Sequence, residues 1–300
     1  MAAGEVANNY DITLDRAFAL CMRGDIESAV AEARVVLKEF GWIERAAHLL
    51  LCIYSITGKD NDAGELLHSM QADGIWLNPG ELECDTDLDS LRGWPEFRSL
   101  VEFSKREYER LSKDVKCELI PVQNGTEGKE ALYFVHGRGT SFAEFTGEFA
   151  ECFMDQKLFF IQSSQVYAKD RYCWDDEEKA IEQITAVLKS CKTNKRYICG
   201  ISQGGRILVQ ALLQNKINDD IYLLIPAVSD KEVNLAKRII ETRCGNICVI
   251  AGEADCCCKA TIELVQILRN TGYNVELKVI PGMGHFLTEE AKKEIVRIFQ

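Results

Sequence analysis

No apolar run in this chain reaches the ~18 residues that a membrane-spanning helix needs. The start, Met1-Ala-Ala-Gly-Glu-Val-Ala-Asn-Asn-Tyr10, has neither a basic leader nor an apolar core, so a cytoplasmic protein is expected. Proline is scarce, five in 300 residues, and no polar low-complexity tract interrupts the sequence, which excludes collagen-like and mostly disordered classes. Positive charge is also short. With 35 Lys and Arg against 47 Asp and Glu, the formal charge is −12, so no broad basic surface is available for phosphate backbones or anionic lipid. A nucleic-acid partner is not expected.

Cysteine is plentiful, 13 in all, yet no Cys-x-x-Cys pair occurs. An odd count in a long chain without a leader fits reduced thiols. The adjacent side chains of Cys256-Cys257-Cys258 cannot all turn to one ion, and Cys244 and Cys248 merely flank the start of an expected strand. No metal site and no cofactor are expected from these spacings.

What is present changes character near residue 116. Residues 1–116 carry 13 basic against 22 acidic side chains, and residues 117–300 carry 22 against 25. From Asn9 to about Lys113 apolar residues recur at spacings of three and four, the helical period. An offset of 34 residues aligns Gly24 with Gly58, Ala29 with Ala63, Ala17 with Leu51 and Leu20 with Tyr54. That period and the small residues resemble a tetratricopeptide helix pair, with Pro95 to Lys113 as a closing helix. Asp85 to Glu96 places acids at positions 1, 3, 5 and 12 of a calcium loop. Ser90 replaces the glycine that the loop's sharp turn requires, and Pro95 stands where the next helix should already run, so an acidic turn is the better reading.

After Lys116, short β-rich runs alternate with amphipathic stretches. Strands are expected at Cys117–Pro121, Ala131–Val135, Lys157–Ile161, Arg196–Cys199, Ile221–Ile225, Ile247–Ala251 and Val275–Ile280. Nearly continuous apolar strands alternating with helices predict an α/β fold, a mostly parallel sheet covered by helices on both faces, preceded by an all-α domain of helical hairpins. The expected domains are 1–116 and 117–300. Chemistry in such sheets gathers in the loops just after the strands.

Gly200-Ile201-Ser202-Gln203-Gly204-Gly205 follows an apolar strand and opens a helix. This G-x-S-x-G turn needs small residues because its serine sits on a strained backbone that lifts the hydroxyl above the sheet edge. Ser202 is the candidate nucleophile, and it needs a general base. Of the four histidines, His48 and His68 lie in the helical region, where a packed or surface imidazole is the plain explanation, and His136 precedes the serine. His285, in Pro281-Gly-Met-Gly-His285-Phe after the last strand, remains as the base. The orienting acid is expected after the preceding strand, in Gly252-Glu253-Ala254-Asp255, with Asp255 preferred and Glu253 its rival. Two backbone N–H groups must meet the developing oxyanion. The Gln203 amide supplies one, and the Arg138 amide, in His136-Gly137-Arg138-Gly139-Thr140 after an early strand, supplies the other.

Together His136-Gly-Arg-Gly139, Gly200-Ile-Ser-Gln-Gly-Gly205, Gly252-Glu-Ala-Asp255 and Gly284-His285 resemble the α/β-hydrolase superfamily over residues 117–300, in its phospholipase/carboxylesterase branch. That resemblance implies a serine esterase or thioesterase with the triad Ser202, Asp255 and His285, with Gly137 at the substrate. It also places Tyr172-Cys-Trp174-Asp175 beside the acyl pocket, Trp174 lining it. The stretch between the Ile221 and Ile247 strands is too short for a large cap. The expected partner is a small-molecule or acyl ester, with a protein partner for the helical segment as a further expectation. A scaffold with an idle hydrolase domain, or an amide or peptide hydrolase, stays open at this point.

Overall fold

The computed structural model describes residues 9–123, 130–148, 150–153, 156–191, 196–238 and 245–299. Cys244 and the first eight residues lie outside this set. The chain divides into two compact units, Met1–Val115 with Val166–Arg171, and Lys116–Gln165 with Tyr172–Gln300.

In the first unit, α1 (Asn9–Met22) and α2 (Ile26–Phe40) form one helical hairpin, and α3 (Glu44–Thr57) and α4 (Asp60–Ala72) another. The turns repeat 34 residues apart: Asp25 N donates to Leu20 O and Lys59 N to Tyr54 O, both at 3.0 Å. That closure puts the residue before each donor in the left-handed region, and glycine fills both places, with φ of 81° at Gly24 and 64° at Gly58. Ala17, Ala29, Ala33, Ala46, Ala47 and Ala63 are fully buried; side chains of this size let helix backbones approach closely. Two short pieces follow, α5 (Pro79–Cys84) and a 3-10 turn (Thr86–Leu91), before α6 (Pro95–Asp114). The acidic stretch that mimics a calcium loop is this 3-10 turn. Asp85 Oδ1 accepts from Asp87 N at 2.9 Å, while Leu88 and Leu91 are fully buried.

The second unit holds a seven-stranded sheet in the order β1-β3-β2-β6-β7-β8-β9. Its strands are β1 (Glu118–Gln123), β2 (Ala131–Val135), β3 (Lys157–Gln162), β6 (Arg196–Ile201), β7 (Asp220–Leu224), β8 (Asn246–Gly252) and β9 (Asn274–Ile280). All neighbours are parallel except β1, which runs antiparallel to β3 with a register shift between Pro121 and Gln123. An edge strand is where proline, which has no N–H to donate, is tolerated. Every residue of β2 is buried. Its alternation splits between two cores, Ala131, Tyr133 and Val135 in one and Leu132 and Phe134 in the other. The first core is covered by α8 (Glu177–Ser190), α9 (Gln203–Leu213), α10 (Asp230–Ala236) and α11 (Cys258–Asn270). The second is covered by α7 (Phe142–Glu148) and α12 (Glu289–Phe299). This is the doubly covered, mostly parallel sheet that the α/β-hydrolase resemblance implies.

One feature departs from simple strand-helix alternation. A short hairpin, β4 (Gln165–Ala168) and β5 (Arg171–Cys173), intervenes between β3 and Trp174, so the Tyr172–Asp175 segment does not directly follow the third strand. Residues 166–171 bond within the first unit. Tyr167 O accepts from Asn78 Nδ2 at 3.1 Å, and Tyr167 O–H donates to Glu81 Oε2 at 2.7 Å.

Candidate active site

Parallel strands bring their carboxyl ends to one edge, and the loops after β2, β6, β8 and β9 supply the site. At the end of β6 the backbone of Ser202 adopts φ 49° and ψ −115°, a strained conformation for a residue with a Cβ. It is held there from both sides: Ser202 N donates to Leu224 O at 3.0 Å, and Ser202 O accepts from Ala227 N at 2.9 Å and Arg206 N at 3.1 Å. The glycines around it are spatial requirements. A Cβ on Gly204 would overlap the carbonyl oxygens of Val135 and His136, and one on Gly200 would lie 2.7 Å from Leu208 Cδ1.

Ser202 Oγ lies 2.8 Å from His285 Nε2. His285 Nδ1 lies 2.8 Å from Asp255 Oδ2, and Asp255 Oδ1 accepts from Cys257 N at 2.9 Å. A carboxylate can only accept, so the Nδ1 hydrogen belongs to the bond with Asp255, and Nε2 is left with its lone pair toward the serine hydroxyl. The Asp255 side chain is 2 % exposed and that of His285 36 %. Burial alone would raise the Asp255 carboxyl, but the hydrogen bonds from His285 and the Cys257 amide outweigh it and hold the group below the usual carboxylate range. Glu253, the rival acid, instead accepts from Gly282 N at 2.9 Å. It braces the turn that carries His285.

The loop after β2, which carries Gly137 and Arg138, is pinned by His136. This imidazole is fully buried, stacked between Phe160 and Trp174. Its Nε2 faces the Ser163 N–H at 3.2 Å, and its Nδ1 lies 2.7 Å from Gly137 O. Those partners require the Nδ1–H tautomer. Desolvation pushes its pKa down to about 4, against the smaller opposing effect of the Gly137 bond, so the ring is neutral. With the Gly137 carbonyl drawn to the ring, a trans peptide turns the Arg138 N–H the other way. Gly137 runs against the elbow; a Cβ there would lie 3.5 Å from Ser202 Cβ. Gln203 is the first residue of α9, and an N–H in the first helical turn has no acceptor within the helix.

A polar network not foreseen from sequence ties these loops together. Arg138 Nε lies 3.0 Å from Asp175 Oδ1, and Arg138 Nη2 lies 3.1 Å from Asp175 Oδ2. Gln203 Nε2 donates to Asp175 Oδ1 at 2.6 Å, while Gln203 Oε1 accepts from Trp174 N at 2.8 Å. Burial tends to raise the Asp175 carboxyl, yet Arg138 and Gln203 more than offset this and lower it. From the sequence, Gln203 is expected to act through its backbone amide alone. The polar side chain at the buried first turn of α9 was the available signal.

Trp174 requires correction. It is fully buried, its Nε1 donates to His136 O at 2.9 Å, and its ring packs on the His136 ring with centroids 4.8 Å apart. It buttresses the loop after β2 from within the core and is not exposed at an open pocket. The Arg138 side chain, paired with Asp175, is likewise engaged within the protein. A separate cavity lined by Tyr222, Asn246, Asn274 and Arg297 sits at the amino ends of β8 and β9 and includes no histidine.

No protein-family model matches the chain, and no curated protein matches it. Among solved structures, an uncharacterized protein from Bacillus cereus ATCC 10987 is similar over 96 % of this chain and 97 % of its own, at 20 % identity and a TM-score of 0.49. A Bacillus cereus carboxylesterase is similar over 64 % of this chain and 98 % of its own, at 16 % identity and a TM-score of 0.48. Zea mays acyl-protein thioesterase 2 covers 61 % of this chain and 97 % of its own, at 16 % identity and a TM-score of 0.46. The activities named there belong to those proteins. Among the described residues, no helix is long and apolar enough to cross a membrane.

Proposed function

We propose that this chain is a serine hydrolase of carboxylic esters or thioesters. The observation that carries the reading is the unbroken relay from Ser202 Oγ to His285 Nε2 and from His285 Nδ1 to Asp255, both steps at 2.8 Å. Ser202 Oγ attacks the acyl carbon while its proton passes to His285 Nε2. The imidazolium so formed is stabilised by the buried Asp255 carboxylate. Charge developing on the carbonyl oxygen is met by the Gln203 and Arg138 amides, already oriented before substrate arrives. His285 then gives its proton to the departing alcohol or thiol, leaving an acyl-Ser202. Water, deprotonated by the same imidazole, releases the acid and restores the serine.

The test is turnover of a graded series of acyl esters and thioesters by the purified wild type and by Ser202→Ala. Hydrolysis by the wild type, lowered by at least about 10⁴-fold in the variant, is expected. A folded wild-type protein that turns over no member of either series contradicts the assignment.

A further inference from the structure

The helical unit contains a side-chain cluster that the proposed hydrolysis does not use. Glu44, His48 and Cys52 stand at four-residue steps on α3, which places them along one face. Glu81 in α5 and Asp85 just after it are also four apart. His48 is at the centre. Its Nδ1 lies 3.5 Å from Glu81 Oε2, its Nε2 lies 2.9 Å from Asp85 Oδ2, and Cys52 Sγ lies 3.4 Å from the same Asp85 oxygen. One ligand atom from each of His48, Cys52 and Asp85 falls within 4.8 Å of the others, and the same holds for Glu44, His48 and Glu81.

Hydrogen bonding leaves this cluster incomplete. His48 Nε2 is buried and pairs with Asp85 Oδ2 at 2.9 Å without a completed hydrogen bond, and Glu44 Oε1 is buried without a hydrogen-bond partner. A buried polar atom left unsatisfied costs about 1–3 kcal/mol. Both atoms sit among converging carboxylates, an imidazole and a thiol, the donor types that a transition-metal ion takes.

We propose that His48 Nε2, Cys52 Sγ and Asp85 Oδ2 hold a divalent ion of the zinc class. A mixed nitrogen, sulfur and oxygen set suits zinc and is foreign to calcium and magnesium, which take oxygen. The second imidazole nitrogen of a metal-bound histidine commonly donates to a carboxylate. Glu81 stands at His48 Nδ1 for that purpose and is itself oriented by the Tyr167 hydroxyl at 2.7 Å. Binding displaces the Cys52 thiol proton to solvent. The resulting thiolate and the Asp85 carboxylate together balance the two charges of the ion. Asp85 also caps the 3-10 turn through its other oxygen, so the ion would fasten α3 to that turn. The helical spacing of Glu44, His48 and Cys52 was the sequence signal; His48 taken singly looked like an ordinary packed imidazole.

Metal-stripped full-length protein titrated with zinc against a chromophoric chelator tests this. One tightly bound zinc is expected in the wild type, with affinity at least about 100-fold weaker in Cys52→Ser and in His48→Gln. Cobalt loading of the wild type should show a thiolate-to-metal charge-transfer band that Cys52→Ser removes. Asp255, Cys257 and His285 offer the same ligand types elsewhere, and Cys257→Ser should leave the tight site intact. Zinc-edge X-ray absorption of the loaded wild type reads the shell without depending on any variant: one sulfur with imidazole and oxygen is expected. Absence of tight binding, a shell without sulfur, or affinity unchanged in Cys52→Ser and His48→Gln would overturn the site and leave His48 as an imidazolium held by carboxylates.

Discussion

Asp255 and Glu253 leave the end of β8 two positions apart and reach different partners. Asp255 turns inward to His285 Nδ1, whereas Glu253 reaches Gly282 N across the neighbouring loop. Asp255→Asn should therefore lower kcat by about 10³- to 10⁴-fold, because an amide can present its NH₂ to Nδ1 and favour the wrong tautomer. Glu253→Gln keeps an acceptor for Gly282 and should stay within about threefold of wild type; steady-state kinetics of the pair separates the two acids. Serine and histidine were legible because their neighbours are diagnostic: glycines where the backbone is tight, and a turn after the last strand. The side chain of Gln203 was not, since its value comes from Asp175 and Trp174, which are near only in the folded chain. Gln203→Ala preserves the peptide N–H and removes both side-chain bonds. A fall in kcat of about 10- to 100-fold is expected, from loosened packing of the Trp174–Asp175 segment and the Arg138 loop against Ser202.

At the scale of elements, the strand-turn-helix around Ser202 depends on backbone meeting backbone. Gly204→Ala pushes a methyl into the carbonyls of Val135 and His136, where no side chain can yield. A loss of about 1–3 kcal/mol in urea unfolding is expected, accompanied by loss of activity. Gly64, inside α4, is the contrast: an added Cβ would meet only Trp94 at 4.0 Å. Gly64→Ala should therefore raise the unfolding free energy by about 0.5–1 kcal/mol. Long apolar strands were legible to within two residues, since burial on both faces leaves an unmistakable run; β2 is expected and found at Ala131–Val135. The β4–β5 hairpin was not legible. Strands of four and three residues are too short to show a period, and the burial of Val166, Tyr167 and Ala168 resembles any short apolar patch.

For the molecule as a whole, His136 links stability to pH. Its pKa is lowered in the fold to about 4 from an ordinary 6.5, so the unfolded chain binds the proton more readily. The stabilising contribution is complete above pH 6.5 and is lost as pH falls from 6.5 to about 4. At about 1.4 kcal/mol per pKa unit, the swing is on the order of 3 kcal/mol. The difference in unfolding free energy between wild type and His136→Asn should narrow by about that amount over this interval; a constant difference would mean the ring is not buried neutral. Histidine at 136 is visible in the sequence as the first residue of the His136-Gly-Arg-Gly139 motif and as a residue in the wrong order for the base. Its structural use follows from full burial and from the Ser163 amide, a contact 27 positions away. The six-residue passage of chain 166–171 into the helical unit likewise has no compositional mark, because charge and apolar content are read in longer windows.

The most direct measurement is mass spectrometry of the folded protein after treatment with a fluorophosphonate, which traps a serine activated by an imidazole. One adduct on the peptide carrying Ser202, blocked by His285→Ala, is the expected result. No adduct on the folded wild type, or an adduct on a different residue, would contradict the proposed nucleophile.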